Sequence, residues 1–216
     1  MTVVRVKICG ITRKEDLDAA AESGADAVGF VVGVVSSPRN LSLIEAENLI
    51  RQVPPFLKSV LVTVPRSIND LTAYEKLNPD IIQIHGEKLN AVDSFRTALP
   101  KTQLIGAINA NFASDSAAVF KTAKLFSAVL LDSFVVGQHG GTGVVHDWGL
   151  SKRVKQVIQP KPLILAGGLN PENVAEAVHT VKPYAVDVSS GVEQQPGIKS
   201  RKKIVEFIKN AKDVKI

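Results

Sequence analysis

Leu163-Ile-Leu-Ala-Gly-Gly-Leu-Asn-Pro171 contains one complete strand-to-helix junction. Its first four residues form a short apolar run typical of a buried strand, and the two glycines after them are typical of a turn. Asn170 precedes Pro171, and this order favours a helix start, because asparagine is a good capping residue and proline fits the first helical position. The stretch therefore predicts one βα unit.

The same succession of apolar run, turn and helical segment recurs along the chain. The runs start about 20 to 35 residues apart, which is the length of a strand, a helix and two loops rather than of a hairpin. Continuous apolar strands with intervening helices indicate a parallel sheet buried on both faces. Eight such units predict one (β/α)8 TIM barrel domain over residues 1–216. The predicted strands are Val4–Cys9, Ala27–Val32, Ser59–Val64, Ile81–His85, Gln103–Ile108, Ala128–Asp132, Leu163–Ala166 and Ala185–Ser189.

Two further helix starts carry capping-box patterns. Thr12-Arg-Lys-Glu15 and Ser42-Leu-Ile-Glu45 each place a hydroxyl three residues before a carboxylate. The two groups can then bind the free N–H groups of a first helical turn. We expect helices to begin after Thr12, after Ser42 and at Pro171.

The composition, 45% hydrophobic and 22% charged over 216 residues, is typical of a globular protein with a sizeable core. The single cysteine, Cys9, cannot form a disulfide within the chain, so we expect a reducing, cytoplasmic environment. The chain has no apolar run long enough to span a membrane, and its charged first residues argue against a signal peptide. We therefore expect no membrane partner.

The net charge of +5 comes from the C-terminal segment. Residues 199–216 carry seven Lys or Arg and two acidic residues, which accounts for the whole excess. Because no aromatic residues alternate with these lysines, we interpret the segment from Lys199 onward as the solvated face of a helix. We expect no nucleic-acid partner.

The C-terminal ends of barrel strands carry the reacting groups in this class of fold. Two of the predicted strands end in a residue with a reactive side chain. Cys9 closes the first strand and precedes Gly10, which permits close approach of the backbone. Asp132 closes the sixth strand. A buried cysteine is commonly a small hydrophobe, and such an aspartate is commonly a helix cap. Together, a thiol and a carboxylate on roughly opposite sides of the barrel can serve one substrate from two faces.

Glycine-rich loops follow the later strands. Gly167-Gly168 and Ser189-Ser190-Gly191 come after the seventh and eighth strands, where barrels bind phosphate through backbone N–H groups. Gly141 and Gly143, in a loop with His139, are further candidates. We expect a small phosphorylated substrate.

Arg39 lies in the loop after the second strand, where an arginine is commonly solvated but can also bind a carboxylate through two parallel hydrogen bonds. The four histidines show neither ligand spacing nor acidic neighbours, so we expect no metal site.

Taken in order, these residues resemble the phosphoribosylanthranilate isomerases, barrels of tryptophan biosynthesis that perform an Amadori rearrangement. The resemblance spans nearly the whole chain, and its most specific motifs are Lys7-Ile-Cys-Gly10 and Asp187-Val-Ser-Ser-Gly-Val-Glu193. The other matching stretches are Gly24–Phe30, Ser37-Pro-Arg39, Gln83-Ile-His-Gly-Glu87, Leu130-Leu-Asp132, Gly140-Gly-Thr-Gly143 with Asp147-Trp148, and Ala166–Val174.

The resemblance implies that Cys9 is the general base, Asp132 the general acid and Arg39 the ligand of the anthranilate carboxylate, without a cofactor. An acid must be protonated near neutral pH, so we expect the pKa of Asp132 to lie above the free value of about 3.9. The base must be a thiolate. Because Lys7 and Cys9 share a strand face, our hypothesis is a buried pair of Lys7 and Asp187 below the thiol, with Lys7 favouring the thiolate.

Two departures from the family pattern affect loop closure and finer anthranilate contacts: Val144-Val145 after Gly143, and Thr63-Val64-Pro65-Arg66 at the end of the third strand. Two alternatives stay open. A sibling phosphosugar barrel, such as the histidine-pathway isomerase, would be expected to carry an aspartate in place of Cys9. A noncatalytic phosphate-binding barrel would need neither Cys9 nor Asp132. A monomer and a homodimer both fit.

Overall fold

The computed structural model describes residues 3–86, 96–97, 99–113, 115–132 and 147–216. The predicted phosphate-binding residues Gly141 and Gly143, and their neighbours Val144 and Val145, lie outside the described residues.

Eight parallel strands close into a ring, which confirms the predicted (β/α)8 TIM barrel. Each strand lies within one residue of its predicted bounds. The ring strands are β1 (Arg5–Ile8), β2 (Ala27–Val32), β4 (Lys58–Thr63), β5 (Ile81–Ile84), β6 (Gln103–Asn109), β7 (Ala128–Asp132), β8 (Leu163–Leu165) and β9 (Ala185–Val188). Their order around the ring is β1-β9-β8-β7-β6-β5-β4-β2, and β2 pairs with β1 to close it.

In the part of the chain that the structure describes, three short strands lie outside the ring, and the sequence patterns predicted none of them. β3 (Asn40–Leu41) pairs with β2, while β10 (Glu193–Gln195) and β11 (Ile198–Lys199) form an antiparallel hairpin. They escape prediction because two or three residues are too few to display a hydrophobic period.

Strand side chains alternate between two cores, because successive residues of a strand point to opposite faces. One set, including Val28, Phe30 and Leu61, packs with the helices in a single large cluster. The other fills the barrel interior in two smaller clusters, one of which contains Cys9 with Val31 and Val60. Cys9 therefore faces the interior of the barrel.

Seven α-helices lie within the described residues. They are α1 (Lys14–Glu22), α2 (Leu43–Ile50), α3 (Ile68–Glu75), α4 (Ser116–Lys124), α5 (Trp148–Ile158), α6 (Val174–Val181) and α7 (Arg201–Lys212). No helix in the described ranges is long and apolar enough to cross a membrane.

The three predicted helix starts have different outcomes. The capping box of Ser42 and Glu45 is confirmed, since each side chain accepts the other's backbone N–H. The box at Thr12 is wrong: α1 has Arg13 at its N-cap, and the Thr12 hydroxyl donates to the carbonyl of Gly197 at 2.6 Å. A tertiary hydrogen bond thus replaces the local cap.

The predicted start at Pro171 is also displaced. The Asn170 side chain does accept backbone N–H groups, from Glu172 and Asn173, each at 3.0 Å. These residues form a turn, however, and α6 begins only at Val174. The asparagine caps the turn that leads into the helix rather than the helix itself.

The interpretation of Lys199 as part of a solvated helix face is wrong. Lys199 ends β11, before α7 begins, and only 3% of its surface is exposed. Its ammonium group binds Glu193 within the protein, at 2.8 Å. Charge counting cannot detect this, because it does not show where an individual lysine points.

Candidate active site

Cys9 lies directly after β1, at the end of the barrel where the parallel strands terminate. Its backbone N–H donates to the carbonyl of Val188 at 2.8 Å, which extends the pairing with β9 and fixes the thiol in the interior. The side chain is buried. Burial raises the pKa of the thiol, and the nearby Lys7 ammonium lowers it by less. Lys7 therefore favours the thiolate, as expected, but burial keeps the pKa of the thiol above its ordinary value.

The predicted contact between Lys7 and Asp187 is present below the thiol. Lys7 Nζ lies 2.9 Å from Asp187 Oδ1, both residues are buried, and they are paired in register across β1 and β9. Burial alone would lower the pKa of Lys7, but Asp187 and then Cys9 more than offset this, so its pKa lies above the usual range. Lys7 is thus a fixed, buried cation within hydrogen-bonding reach of Cys9.

Two glycines make room for this group. A Cβ atom at Gly29 of β2 would lie 2.8 Å from Cys9 Sγ, so a larger residue would displace the thiol. Gly10 has a φ of +73°, and a Cβ there would lie 2.5 Å from Arg39 Cδ and 3.0 Å from Ser189 Oγ. Gly10 therefore permits Arg39 and Ser189 to approach the backbone beside Cys9, as its position after the cysteine led us to expect.

Asp132 is the last residue of β7 and is half-buried. It is in register with Asn109, the last residue of β6. Around the ring, β8 and β9 separate β7 from β1, so Asp132 lies three strand positions from Cys9, where four would be directly opposite in a ring of eight. This separation agrees with the expectation that the two residues lie on roughly opposite sides of the barrel.

Arg39 is buried, not solvated, and another side chain already holds part of its guanidinium group. Arg39 Nε donates to Glu193 Oε1 at 2.7 Å, and Nη2 donates to Glu193 Oε2 at 2.6 Å. Lys199 Nζ also donates to Glu193 Oε1, at 2.8 Å. Sequence reasoning missed Glu193 as the partner of Arg39, since no local pattern relates residues this far apart in the chain.

The loops after β8 and β9 lie against each other, as the prediction of a joint phosphate site requires. Gly167 and Gly168 have φ values of +84° and +65°, which other residues rarely adopt. A Cβ at Gly191 would collide with the carbonyl oxygen of Leu169. Ser189 and Ser190 are half-buried beside this contact. The two loops thus form one continuous surface beside Cys9.

Gln83 and His85 are further polar residues at this end of the barrel that sequence reasoning missed. Gln83 Nε2 lies 2.6 Å from His85 Nε2, while the buried Gln83 Oε1 has no partner among the described residues. Burial and then the charge of Lys7 lower the pKa of His85 to about 4. The imidazole is thus neutral at physiological pH. The sequence could have indicated this pair, because Gln83 and His85 are two positions apart and alternate residues of a strand lie on the same face.

The neutral state of His85 predicts a decline of stability in acid. Below pH 6.5 the unfolded chain binds a proton at this histidine and the folded chain does not, down to about pH 4. This difference removes at most about 3 kcal/mol of unfolding free energy. Urea unfolding at pH 7, 5.5 and 4.5 should show a smaller decline for His85→Gln than for the wild type.

The exposed His179, changed to Gln, is the matched control for that measurement. An equal decline in wild type and His85→Gln would contradict the neutral state of the half-buried His85.

The described part of the chain contains no group of three or more His, Cys, Asp or Glu side chains that could hold a metal ion.

Comparison with known proteins agrees with this geometry. The family model described as N-(5'phosphoribosyl)anthranilate (PRA) isomerase matches residues 6–210. An N-(5'-phosphoribosyl)anthranilate isomerase of Methanothrix thermoacetophila is 42% identical over 212 residues, covering 97% of this chain and 99% of the relative.

Solved structures give the same result. The phosphoribosyl anthranilate isomerase of Thermotoga maritima superposes with a TM-score of 0.87 at 38% identity, covering 98% of this chain and 100% of that one. A phosphoribosyl anthranilate isomerase in complex with reduced 1-(o-carboxyphenylamino)-1-deoxyribulose 5-phosphate has a TM-score of 0.83 at 37% identity, with the same coverage. The chain belongs to the N-(5'-phosphoribosyl)anthranilate isomerase family.

Proposed function

We propose that this chain converts N-(5'-phosphoribosyl)anthranilate to 1-(o-carboxyphenylamino)-1-deoxyribulose 5-phosphate, an Amadori rearrangement of tryptophan biosynthesis, with Cys9 and Asp132 as the catalytic residues. The observation that carries the proposal is the placement of Cys9 above the Lys7–Asp187 pair at the strand ends where Asp132 also lies. Membership of the isomerase family supports the choice of substrate.

Asp132 acts first, as the general acid. It donates its proton to the furanose ring oxygen while the bond from that oxygen to C1′ breaks, and the nitrogen lone pair forms an iminium ion at C1′. A carboxyl group at the end of a strand, half-buried beside Asn109, is placed to approach the sugar from the interior. The pKa of Asp132 stays a prediction, above the ordinary value.

Cys9 then acts as the general base. Its thiolate removes the C2′ proton, the electron pair of that C–H bond forms the C1′–C2′ double bond, and the iminium nitrogen is neutralised. The resulting enol becomes the ketone when its hydroxyl proton is lost and C1′ is protonated. Burial disfavours the thiolate in the free protein, but the iminium charge opposes that effect, because a nearby cation favours the ionised thiol.

The two charged ends of the substrate have separate candidate sites. We assign the anthranilate carboxylate to Arg39, whose remaining N–H groups can form charge-assisted hydrogen bonds. We assign the phosphate to the joined loops of Gly167-Gly168 and Ser189–Gly191, with Gly141 and Gly143 as further candidates. Each step moves electron pairs within the substrate and protons between the substrate and the protein, so the scheme uses no cofactor.

The setting of the protein follows from its chemistry. We place it in the cytoplasm, because its only cysteine is a free thiol that the reaction needs to keep reduced. It acts as a monomer or a homodimer, which sedimentation velocity at several concentrations distinguishes.

Turnover of N-(5'-phosphoribosyl)anthranilate, generated in situ and followed by the loss of its fluorescence, tests the proposed activity. We expect catalysis without added metal or cofactor. A folded chain that binds the reduced product analogue but gives no turnover would contradict the proposal and favour a noncatalytic phosphate-binding barrel.

A further inference from the structure

Arg39, Glu193 and Lys199 form a buried ionic cluster with one positive charge in excess. Glu193 accepts hydrogen bonds from both Arg39 and Lys199, and all three side chains are at most 10% exposed. The nearby Asp16 accepts the backbone N–H of Lys199, but its own charge is paired with Arg13. Two cations therefore share one carboxylate, and the cluster has a net charge of +1.

Glu193 binds only one edge of the Arg39 guanidinium. It uses the side edge formed by Nε and Nη2, which leaves Nη1 and the second N–H of Nη2 without a partner among the described residues. These N–H groups form the end edge, which also matches the geometry of a carboxylate. Because the guanidinium is planar and rigid, fixing its side edge also fixes the direction of its end edge.

Glu193 and Lys199 belong to the hairpin of β10 and β11, and this hairpin also contacts the predicted phosphate loop. Lys199 Nζ donates to the carbonyl of Ser189 at 3.1 Å, and it lies 3.4 Å from Ser189 Oγ. At the hairpin turn, a Cβ at Gly197 would lie 2.9 Å from the carbonyl oxygen of Pro38, the residue before Arg39. The hairpin of β10 and β11 is thus packed between the candidate sites for the two ends of the substrate.

We propose that Glu193 and Lys199 are positioning residues: Glu193 orients Arg39 so that its end edge receives the substrate carboxylate, and Lys199 fixes Ser189 beside the phosphate. This inference rests on the proposed function of Arg39 and extends it to two residues that do not touch the reacting atoms.

Binding of two probes separates positioning from structural support. One probe is reduced 1-(o-carboxyphenylamino)-1-deoxyribulose 5-phosphate, and the other is its counterpart with an unsubstituted phenyl ring. Calorimetry should show that the wild type binds the carboxylated probe on the order of 10- to 100-fold more tightly. Arg39→Ala should abolish this preference, and Glu193→Gln should reduce it about tenfold while changing the Kd of the unsubstituted probe less than about threefold.

Two more variants complete the test. Glu22→Gln removes an exposed ion pair with Arg201 and is the matched control, which should bind both probes as the wild type does. Lys199→Met should weaken both probes by a similar factor, because it releases Ser189 rather than Arg39. If Glu193→Gln does not fold, Glu193→Asp replaces it: the shorter side chain keeps the charge but cannot hold the side edge of Arg39 in the same place, so the preference for the carboxylated probe should fall in the same way.

Suppose that Glu193→Gln keeps the wild-type preference for the carboxylated probe while Arg39→Ala loses it. This result would overturn the positioning role of Glu193 and leave the role of Arg39 intact. A preference that persists in Arg39→Ala would instead show that Arg39 does not bind the carboxylate, and both proposals would fail. If Lys199→Met binds both probes as tightly as the wild type does, the proposed role of Lys199 in fixing Ser189 would be overturned.

Discussion

Replacing Cys9 by serine should lower kcat on the order of 10²- to 10⁴-fold, the usual contribution of a positioned base. The hydroxyl fits the same buried space, so the barrel should stay folded, but it is a far poorer source of an anionic base than a thiol. Stopped-flow fluorescence with N-(5'-phosphoribosyl)anthranilate measures the effect. Cys9→Ala is the companion variant, and a kcat within a few-fold of wild type in either would exclude Cys9 as the base.

The pH dependence of wild-type kcat/KM provides an independent check on Cys9. A base must be deprotonated, so activity should rise with pH through a pKa above the ordinary range of a thiol, because burial opposes the thiolate. Lys7 lowers the pKa of Cys9, and Asp187 raises it by a smaller amount. The double variant Lys7→Met, Asp187→Asn removes both charges, so the pKa of Cys9 should rise. Its ascending limb should move to higher pH. An unmoved limb would assign the titration to a different group.

Asp132→Asn should also lower kcat on the order of 10²- to 10⁴-fold, because an amide cannot deliver the proton that ring opening needs. The affinity for the reduced product analogue should change only a few-fold, since the amide keeps the size and polarity of the side chain. Single-turnover kinetics and calorimetry measure the two quantities. A loss confined to binding, with kcat preserved, would make Asp132 a binding residue instead of the acid.

Asp115→Asn is the matched control for this substitution. Asp115 is the exposed N-cap of α4 and accepts the N–H groups of Ala117 and Ala118, each at 3.0 Å. Asparagine caps helices as well as aspartate does, so stability and activity should both be unchanged.

The barrel strands were predictable because each one carries its own information. A run such as Ala27–Val32 is apolar throughout, since both of its faces are buried, and turn residues bound it. Helix starts were less predictable. Ser42 and Glu45 form their box locally, whereas Thr12 takes a partner in Gly197, and no local pattern contains that competitor.

By itself, the sequence determined the eight-stranded barrel, the placement of Cys9 and Asp132 at strand ends, and the pairing of Lys7 with Asp187 across neighbouring strands. The barrel and the strand ends follow from the periodicity of apolar residues, which is a local property. The Lys7–Asp187 pair follows from the alternation of side chains on two strands that are adjacent in an eight-stranded ring. Only the tertiary structure decided that burial outweighs Lys7 at the thiol, and that Glu193 joins Arg39 to Lys199. Desolvation and long-range ion pairing depend on what surrounds a side chain in space, which the order of residues does not state.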